Sequence, residues 1–90
     1  MDNLGTVAAD VAAKAAIQYL RGRDILGKEW FNADAISKAL QTRVKLALPE
    51  ALKDAKEALD LGMGPVGETT FMVSMALAGI KAAKDVYPEA

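Results

Sequence analysis

The chain has 90 residues, a formal net charge of −1 and 52% apolar residues, and it contains neither cysteine nor histidine. This length corresponds to one domain, and the balanced charge provides no general attraction to nucleic acid or anionic lipid. Without cysteine and histidine, disulfides, thiolate nucleophiles, the usual zinc ligands and imidazole acid–base catalysis are excluded. We therefore expect a single domain over residues 1–90, with no enzymatic activity, no metal and no other cofactor.

Alanine is the strongest signal in the composition, with 18 of the 90 residues. Alanine has the highest intrinsic helix propensity, and the β-branched and aromatic residues are too few and too scattered to form sheets. The sequence predicts an all-α fold, a compact bundle of about four helices. Their predicted ranges are 4–21, 33–48, 49–61 and 68–87.

The first predicted helix, residues 4–21, carries apolar residues at steps of three and four. This stripe consists of Leu4, Val7, Val11, Ala15 and Tyr19. Such spacing places side chains on one side of a helix, so we expect this stripe to face the core. Gly22 is the expected left-handed residue that follows the helix.

The connector at residues 22–31 is too apolar for a solvated linker, because it contains Ile25, Leu26, Trp30 and Phe31. We expect it to fold back onto the helices. Trp30 has two interpretations at this stage. It either fills the end of a small bundle or is exposed as an anchor for a partner, since tryptophan contributes strongly to interface energetics.

The second predicted helix begins after Asn32, a favourable N-cap residue. Its apolar stripe consists of Ile36, Leu40, Val44, Ala47 and Leu48. Pro49 lacks the backbone N–H and clashes with the preceding turn, so we expect a break or kink at Leu48. A third helix then covers residues 49–61, and Gly62 ends it.

Residues 62–69 match the phosphate-binding pattern G-x-x-x-x-G-K-[ST] except that Glu68 replaces the lysine. A carboxylate there repels phosphate, so we expect only a turn between helices. The helix at 68–87 has no charged residue between Glu68 and Lys81 and should be the most buried. Its small residues, including Ser74, Ala78 and Gly79, allow another backbone to approach closely, either within the bundle or from a second chain.

The segment Phe31-Asn-Ala-Asp-Ala-Ile-Ser-Lys-Ala-Leu40 resembles the first helix of helix-turn-helix domains. The resemblance implies a second helix near Thr42, with Lys38, Arg43 and Lys45 on DNA phosphates. Residues 14–45 also carry seven basic and three acidic side chains. Against this, the expected turn contains no glycine, and Pro49 would fall inside the recognition helix.

We expect a small non-enzymatic protein–protein interaction module, such as an adaptor, an inhibitor or an assembly subunit, that also forms a homo-oligomer. The expected partner-binding residues are the anchors Trp30 and Phe31 and the basic side chains Arg21, Arg23 and Lys28. A DNA-binding regulator using residues 32–47 is the alternative. The longest apolar run has ten residues and the N-terminus lacks a signal-peptide pattern, so we expect no membrane partner and a cytoplasmic location.

Overall fold

The computed structural model describes residues 4–89, which form three helices. These are α1 (Leu4–Gly22), α2 (Ala33–Asp60) and α3 (Pro65–Val86). No strand occurs in this described part of the chain. The all-helical prediction is confirmed, but the expected number of about four helices is wrong, because residues 33–48 and 49–61 belong to one helix.

Helix α2 continues through Pro49. The carbonyl of Lys45 loses its usual N–H donor there, at a cost of about 3 kcal/mol. Both Lys45 and Pro49 are exposed, so water can solvate this carbonyl. Val44 and Ala51 are buried on either side of the proline. Of the break or kink predicted at Leu48, the break does not occur, because this packing holds both halves of α2 against the core.

A short turn at residues 61–64 reverses the chain between α2 and α3. Gly62 has a φ of +75°, and its N–H donates to the carbonyl of Leu59. The N–H of Met63 donates to the carbonyl of Ala58 at 3.0 Å. This pair of bonds is the Schellman arrangement and confirms Gly62 as the residue that ends the helix. Helix α3 begins at Pro65, three residues before the predicted start, because proline is favoured in a first helical turn.

Helix α3 contacts both other helices, whereas α1 and α2 touch each other less. Its inner side supplies Phe71 and Met75 to one core cluster and Ala83 to a second one near the end of the bundle. The expectation that this helix is the most buried one is confirmed by its seven buried residues. None of the helices described is long and apolar enough to cross a membrane.

Helix α1 packs on α3 with an unusually close backbone approach. A Cβ atom added at Gly79 would lie 2.0 Å from the carbonyl oxygen of Ala12. Ala8, Ala12 and Ala16 are completely buried at this contact. The small residues of α3 around Gly79 therefore serve packing within the chain, which is one of the two uses that the sequence left open.

The apolar stripe predicted for α1 is displaced from the stripe that is buried. The buried residues of this helix are Ala8, Ala12, Ala16 and Leu20. Leu4 and Val7 are exposed, and Val11 is only partly buried. The physical reason is the distance between the helices, since only alanine allows the backbones of α1 and α3 to come so close. The larger side chains are left at the edge of the contact.

Candidate functional site

The connector between α1 and α2 begins with a tight C-terminal cap. The N–H of Ile25 donates to the carbonyl of Leu20 at 2.9 Å, and the N–H of Asp24 donates to the carbonyl of Arg21 at 3.1 Å. Asp24 is the left-handed residue of this cap, with a φ of +58°. The prediction that Gly22 has this role is wrong, because α1 continues through Gly22. Ile25 and Leu20 pack together in the core, which fixes the direction of the connector.

Tyr87, at the end of α3, holds the other end of the connector. Its hydroxyl oxygen accepts a hydrogen bond from the backbone N–H of Asn32 at 2.6 Å. The side-chain oxygen of Asn32 accepts from the N–H groups of Asp34 and Ala35, at 3.0 and 3.1 Å, which confirms Asn32 as the N-cap of α2. The start of α2 is therefore bonded to the end of α3.

Trp30 lies on the ring of Tyr87 but remains largely in solvent. The two ring centroids are 5.2 Å apart at an interplanar angle of 61°, an edge-to-face contact. Trp30 keeps 59% of its surface exposed. The interpretation of Trp30 as a core residue is therefore wrong. The rest of the connector does fold back as expected, since Ile25, Leu26 and Phe31 all pack into the core cluster at this end of the bundle.

Trp30 stands beside an open pocket of about 560 Å³. Three of its lining residues were predicted as partner-binding residues, namely Arg23, Lys28 and Trp30. The remaining lining residues are Asp24, Ile25, Val86, Tyr87, Pro88 and Glu89. Aromatic and aliphatic surface is thus surrounded by charges of both signs. Such a pocket can accept an apolar side chain and pair with charged groups next to it.

The other two predicted partner-binding residues lie elsewhere. Phe31 is half-buried and does not line the pocket. Its ring stacks on Tyr87, with the two ring centroids 5.9 Å apart. Arg21 lines a separate shallow depression along α1. Sequence reasoning missed Tyr87, Pro88 and Glu89 as pocket residues. The Tyr87-Pro88 pair at the end of the last predicted helix was the available signal, because proline directs the chain away from the helix axis.

The three cations of the DNA-binding alternative do not form one surface. Residues 33–60 form a single helix, so the segment contains no turn between two helices. The guanidinium of Arg43 is paired with the carboxylate of Asp85 on α3, with Nε donating at 2.6 Å. Lys45 lines the groove between α1 and α2. Lys38 lies seven residues before Lys45 and shares its side of α2, whereas Arg43 lies on another side.

Within residues 4–89, no three acidic, histidine or cysteine side chains come close enough together to hold a metal ion. No polar or charged side chain is buried in this part of the chain. The pocket beside Trp30 is lined by aromatic, aliphatic and charged groups. Comparisons of the chain with protein-family models, with curated proteins and with solved structures find no match.

Proposed function

We propose that this chain is a non-enzymatic protein–protein interaction module that binds a segment of its partner at the Trp30 pocket and also self-associates. The observation that carries the proposal is the exposure of Trp30 beside a pocket that the fold has already formed. Adaptor, inhibitor and assembly subunit are the roles compatible with such a module.

The support is energetic. A tryptophan ring contributes a large apolar area, and tryptophans are among the residues on which interface affinity most often depends. Here the ring of Trp30 already contacts the ring of Tyr87. The hydroxyl oxygen of Tyr87 in turn accepts a hydrogen bond from the backbone N–H of Asn32 at 2.6 Å. A ring held in this way loses little conformational freedom when a partner covers it. Preorganisation of this kind increases affinity.

The charged residues that line the pocket indicate the chemistry of the partner segment. Arg23 and Lys28 contribute positive charge to the lining of the pocket, and Asp24 and Glu89 contribute negative charge. The guanidinium of Arg23 is 5.3 Å from the ring centroid of Tyr19, which orients it beside the pocket. A partner segment with one large apolar side chain and a neighbouring carboxylate fits this arrangement. Its apolar side chain would contact Trp30, and its carboxylate would pair with Arg23 or Lys28.

The test uses the fact that Trp30 is the only tryptophan of the chain. Tagged protein is incubated with nuclease-treated lysate of the source cells, and captured proteins are identified by mass spectrometry. Each captured protein is then purified and titrated against the untagged chain while the emission of Trp30 is followed. We expect a blue shift and a saturable change in intensity, since binding removes water from the ring.

The matched variants are Trp30→Ala and Leu46→Ala, because both remove a large exposed apolar side chain. Leu46 lies on the outer side of α2, away from the pocket. We expect Trp30→Ala to lower partner affinity by at least about tenfold, a loss typical of interface anchors, and Leu46→Ala to leave it unchanged. Circular dichroism checks that both variants fold. Equal binding by Trp30→Ala and the natural chain would contradict the proposed site.

A further inference from the structure

Helix α3 is apolar on two opposite sides, and only one side is packed. Met75 is completely buried between the helices, and it is two residues away from both Val73 and Leu77. Two residues turn a helix by about 200°, so Val73 and Leu77 lie on the opposite side. Both are at least half exposed. The packing within one chain therefore leaves an apolar side of α3 uncovered.

The residues of this open side follow a heptad spacing. They are separated alternately by four and three positions, in the series Val66, Thr70, Val73, Leu77, Ile80 and Lys84. This alternation is the pattern by which helices pack side by side in coiled coils and four-helix bundles. The spacing fits the open side of α3 to another helix.

Helix α1 extends the same surface. The ammonium of Lys84 is 5.8 Å from the ring centroid of Tyr19, so the open side of α3 adjoins the side of α1 that carries Tyr19. Ala15 precedes Tyr19 by four residues and lies beside it on that side of α1, because residues four apart share a helix face. We call the surface formed by Ala15, Tyr19, Val73, Leu77 and Ile80 the outer face.

The outer face carries no charge at its centre. No charged residue occurs on α3 between Glu68 and Lys81. On α1, Asp10 and Lys14 are paired with each other at 3.1 Å. Interface centres are depleted of charged residues in the same way, whereas solvated helix faces are rich in them. The composition of the outer face is therefore that of a covered surface.

The surface area of the whole chain indicates how much is left to cover. A monomeric protein of 9.5 kDa is expected to expose about 5,000 Å², whereas this chain exposes 6061 Å². The excess of about 1,000 Å² compares with about 800 Å² that each partner buries in a stable interface. The radius of gyration, 14.0 Å, also exceeds the value of about 12 Å expected for 90 residues. Both differences reflect an elongated molecule of 48 × 22 × 19 Å, whose long helix sides stay exposed.

We propose that a second copy of this chain covers the outer face, with the two α3 helices antiparallel about a twofold axis near Met75. The α1 and α3 helices of both copies would then form a four-helix core. This inference depends on the self-association included in the proposed function, but it does not depend on the Trp30 pocket. A twofold axis is the commonest symmetry of small oligomers and requires only that one patch match itself.

Lys84 selects the antiparallel orientation. In a parallel pair, Lys84 would meet the partner's Lys84 at the end of the heptad series, and like charges in contact disfavour association. In the antiparallel pair, the axis lies nine residues before Lys84 in each copy, so the two ammonium groups are separated by about 27 Å at a rise of 1.5 Å per residue. Val73 then contacts the partner's Leu77, and each Lys84 can extend into water.

The first experiment measures the mass of the purified chain by sedimentation velocity and light scattering from micromolar to near-millimolar concentration. We expect the natural chain to form a dimer. Leu77→Glu places a carboxylate in the interface and should weaken the dimer by about 100-fold or more. Leu46→Glu is the matched control, since Leu77 is 60% exposed and Leu46 is 68% exposed, and it should leave the dimer intact. Circular dichroism should show both variants folded.

The second experiment tests the orientation. The chain has no natural cysteine, so introduced thiols report only on the designed pair. A mixture of Val73→Cys and Leu77→Cys chains should oxidise mainly to the mixed dimer. Preferential Val73→Cys homodimers, formed at the expense of mixed dimers, would contradict the antiparallel arrangement.

A monomeric natural chain over the whole concentration range would overturn the proposal, and so would a Leu77→Glu variant that dimerises as well as the natural chain. These results are distinguishable from failure of the partner site. A monomer whose partner binding still depends on Trp30 refutes the dimer alone. A dimer whose partner affinity is unchanged by Trp30→Ala refutes the partner site at the pocket alone.

Discussion

The contact between α1 and α3 predicts a large effect of adding one methyl group at Gly79. In Gly79→Ala, the new Cβ atom would lie 2.0 Å from the carbonyl oxygen of Ala12, where ordinary contact begins at 3.4 Å. The obstructing atoms belong to the backbone of α1, so no side-chain rotation relieves the clash. The helices must separate locally by about 1.4 Å, the difference between these two distances.

Such a separation weakens the contacts of Ala8, Ala12 and Ala16, which are all completely buried. A gap of 0.5–1 Å already removes about a quarter to a half of a van der Waals contact energy. Overpacked cores lose about 1–3 kcal/mol and occasionally more, and this clash with backbone belongs at the upper end. The higher helix propensity of alanine relative to glycine offsets about 1 kcal/mol of this loss. We expect a net loss of about 2 kcal/mol.

Urea and thermal unfolding followed by circular dichroism, at one fixed protein concentration, measure this loss. For a domain of this size, about 2 kcal/mol corresponds to a fall of about 8–16 °C in Tm. Gly22→Ala is the control, because it is also a helical glycine but has no other atom within 4 Å of an added Cβ. It should be neutral or slightly stabilising. If Gly79→Ala were as stable as Gly22→Ala, the close approach of the two backbones would be wrong.

Three further substitutions test local features of the fold, each by the same unfolding measurements. Pro49→Ala should stabilise the chain by about 2 kcal/mol. It removes the helix-interior cost of proline, about 3 kcal/mol, but it also makes the unfolded chain more flexible, which offsets about 1 kcal/mol. No gain in stability would contradict a continuous α2. Asp24→Gly should stabilise by about 0.5–1 kcal/mol, since glycine adopts the left-handed conformation without strain, and a loss would show that the aspartate side chain has a role in the cap. Asn32→Ala should destabilise by about 1 kcal/mol through loss of the N-cap, while Asn32→Ser should retain most of the stability.

The class and the helical segments of this fold follow from composition and periodicity, but the orientation of α1 does not. Two stripes of α1 are apolar, one of alanines and one of larger residues. Periodicity ranks the larger residues as the core side because they are more hydrophobic. The structure buries the alanines instead, because Gly79 on a distant helix allows backbones to touch. The contact between Ala12 and Gly79 is a tertiary interaction that the sequence of neither helix predicts on its own.

Pro49 illustrates the same limit for helix boundaries. Its local effect favours two helices, and the sequence around it contains no opposing local signal. Continuity of α2 depends on Val44 and Ala51, which are buried on either side of the proline. The free energy of burying both turns exceeds the cost of one missing hydrogen bond. The burial of both turns depends on the positions of α1 and α3, whose residues form one core cluster with Val44 and Ala51.

The candidate site was predictable in part. Aromatic and basic residues in a connector are typical of contact surfaces, and the structure brings Trp30, Arg23 and Lys28 to one pocket. Phe31 has the same chemistry as its neighbour but the opposite environment. Both rings contact Tyr87, which lies 56 residues after Phe31, but only Phe31 also packs against the core cluster.

The distribution of side-chain size supports the proposed self-association. Alanines make up eight of the fifteen buried apolar residues between positions 4 and 89, while eleven large apolar side chains there are exposed. A buried alanine contributes about 0.8 kcal/mol, whereas a fully buried valine, leucine or methionine contributes about 1.5–3 kcal/mol. A single chain thus keeps much of its available hydrophobic free energy outside the core, and the proposed dimer would recover part of it by covering Val73 and Leu77. Because association stabilises the folded state by mass action, the Tm of the natural chain should rise with protein concentration. The Tm of Leu77→Glu should not, and a natural chain whose Tm is independent of concentration would show that its stability comes from the monomer alone.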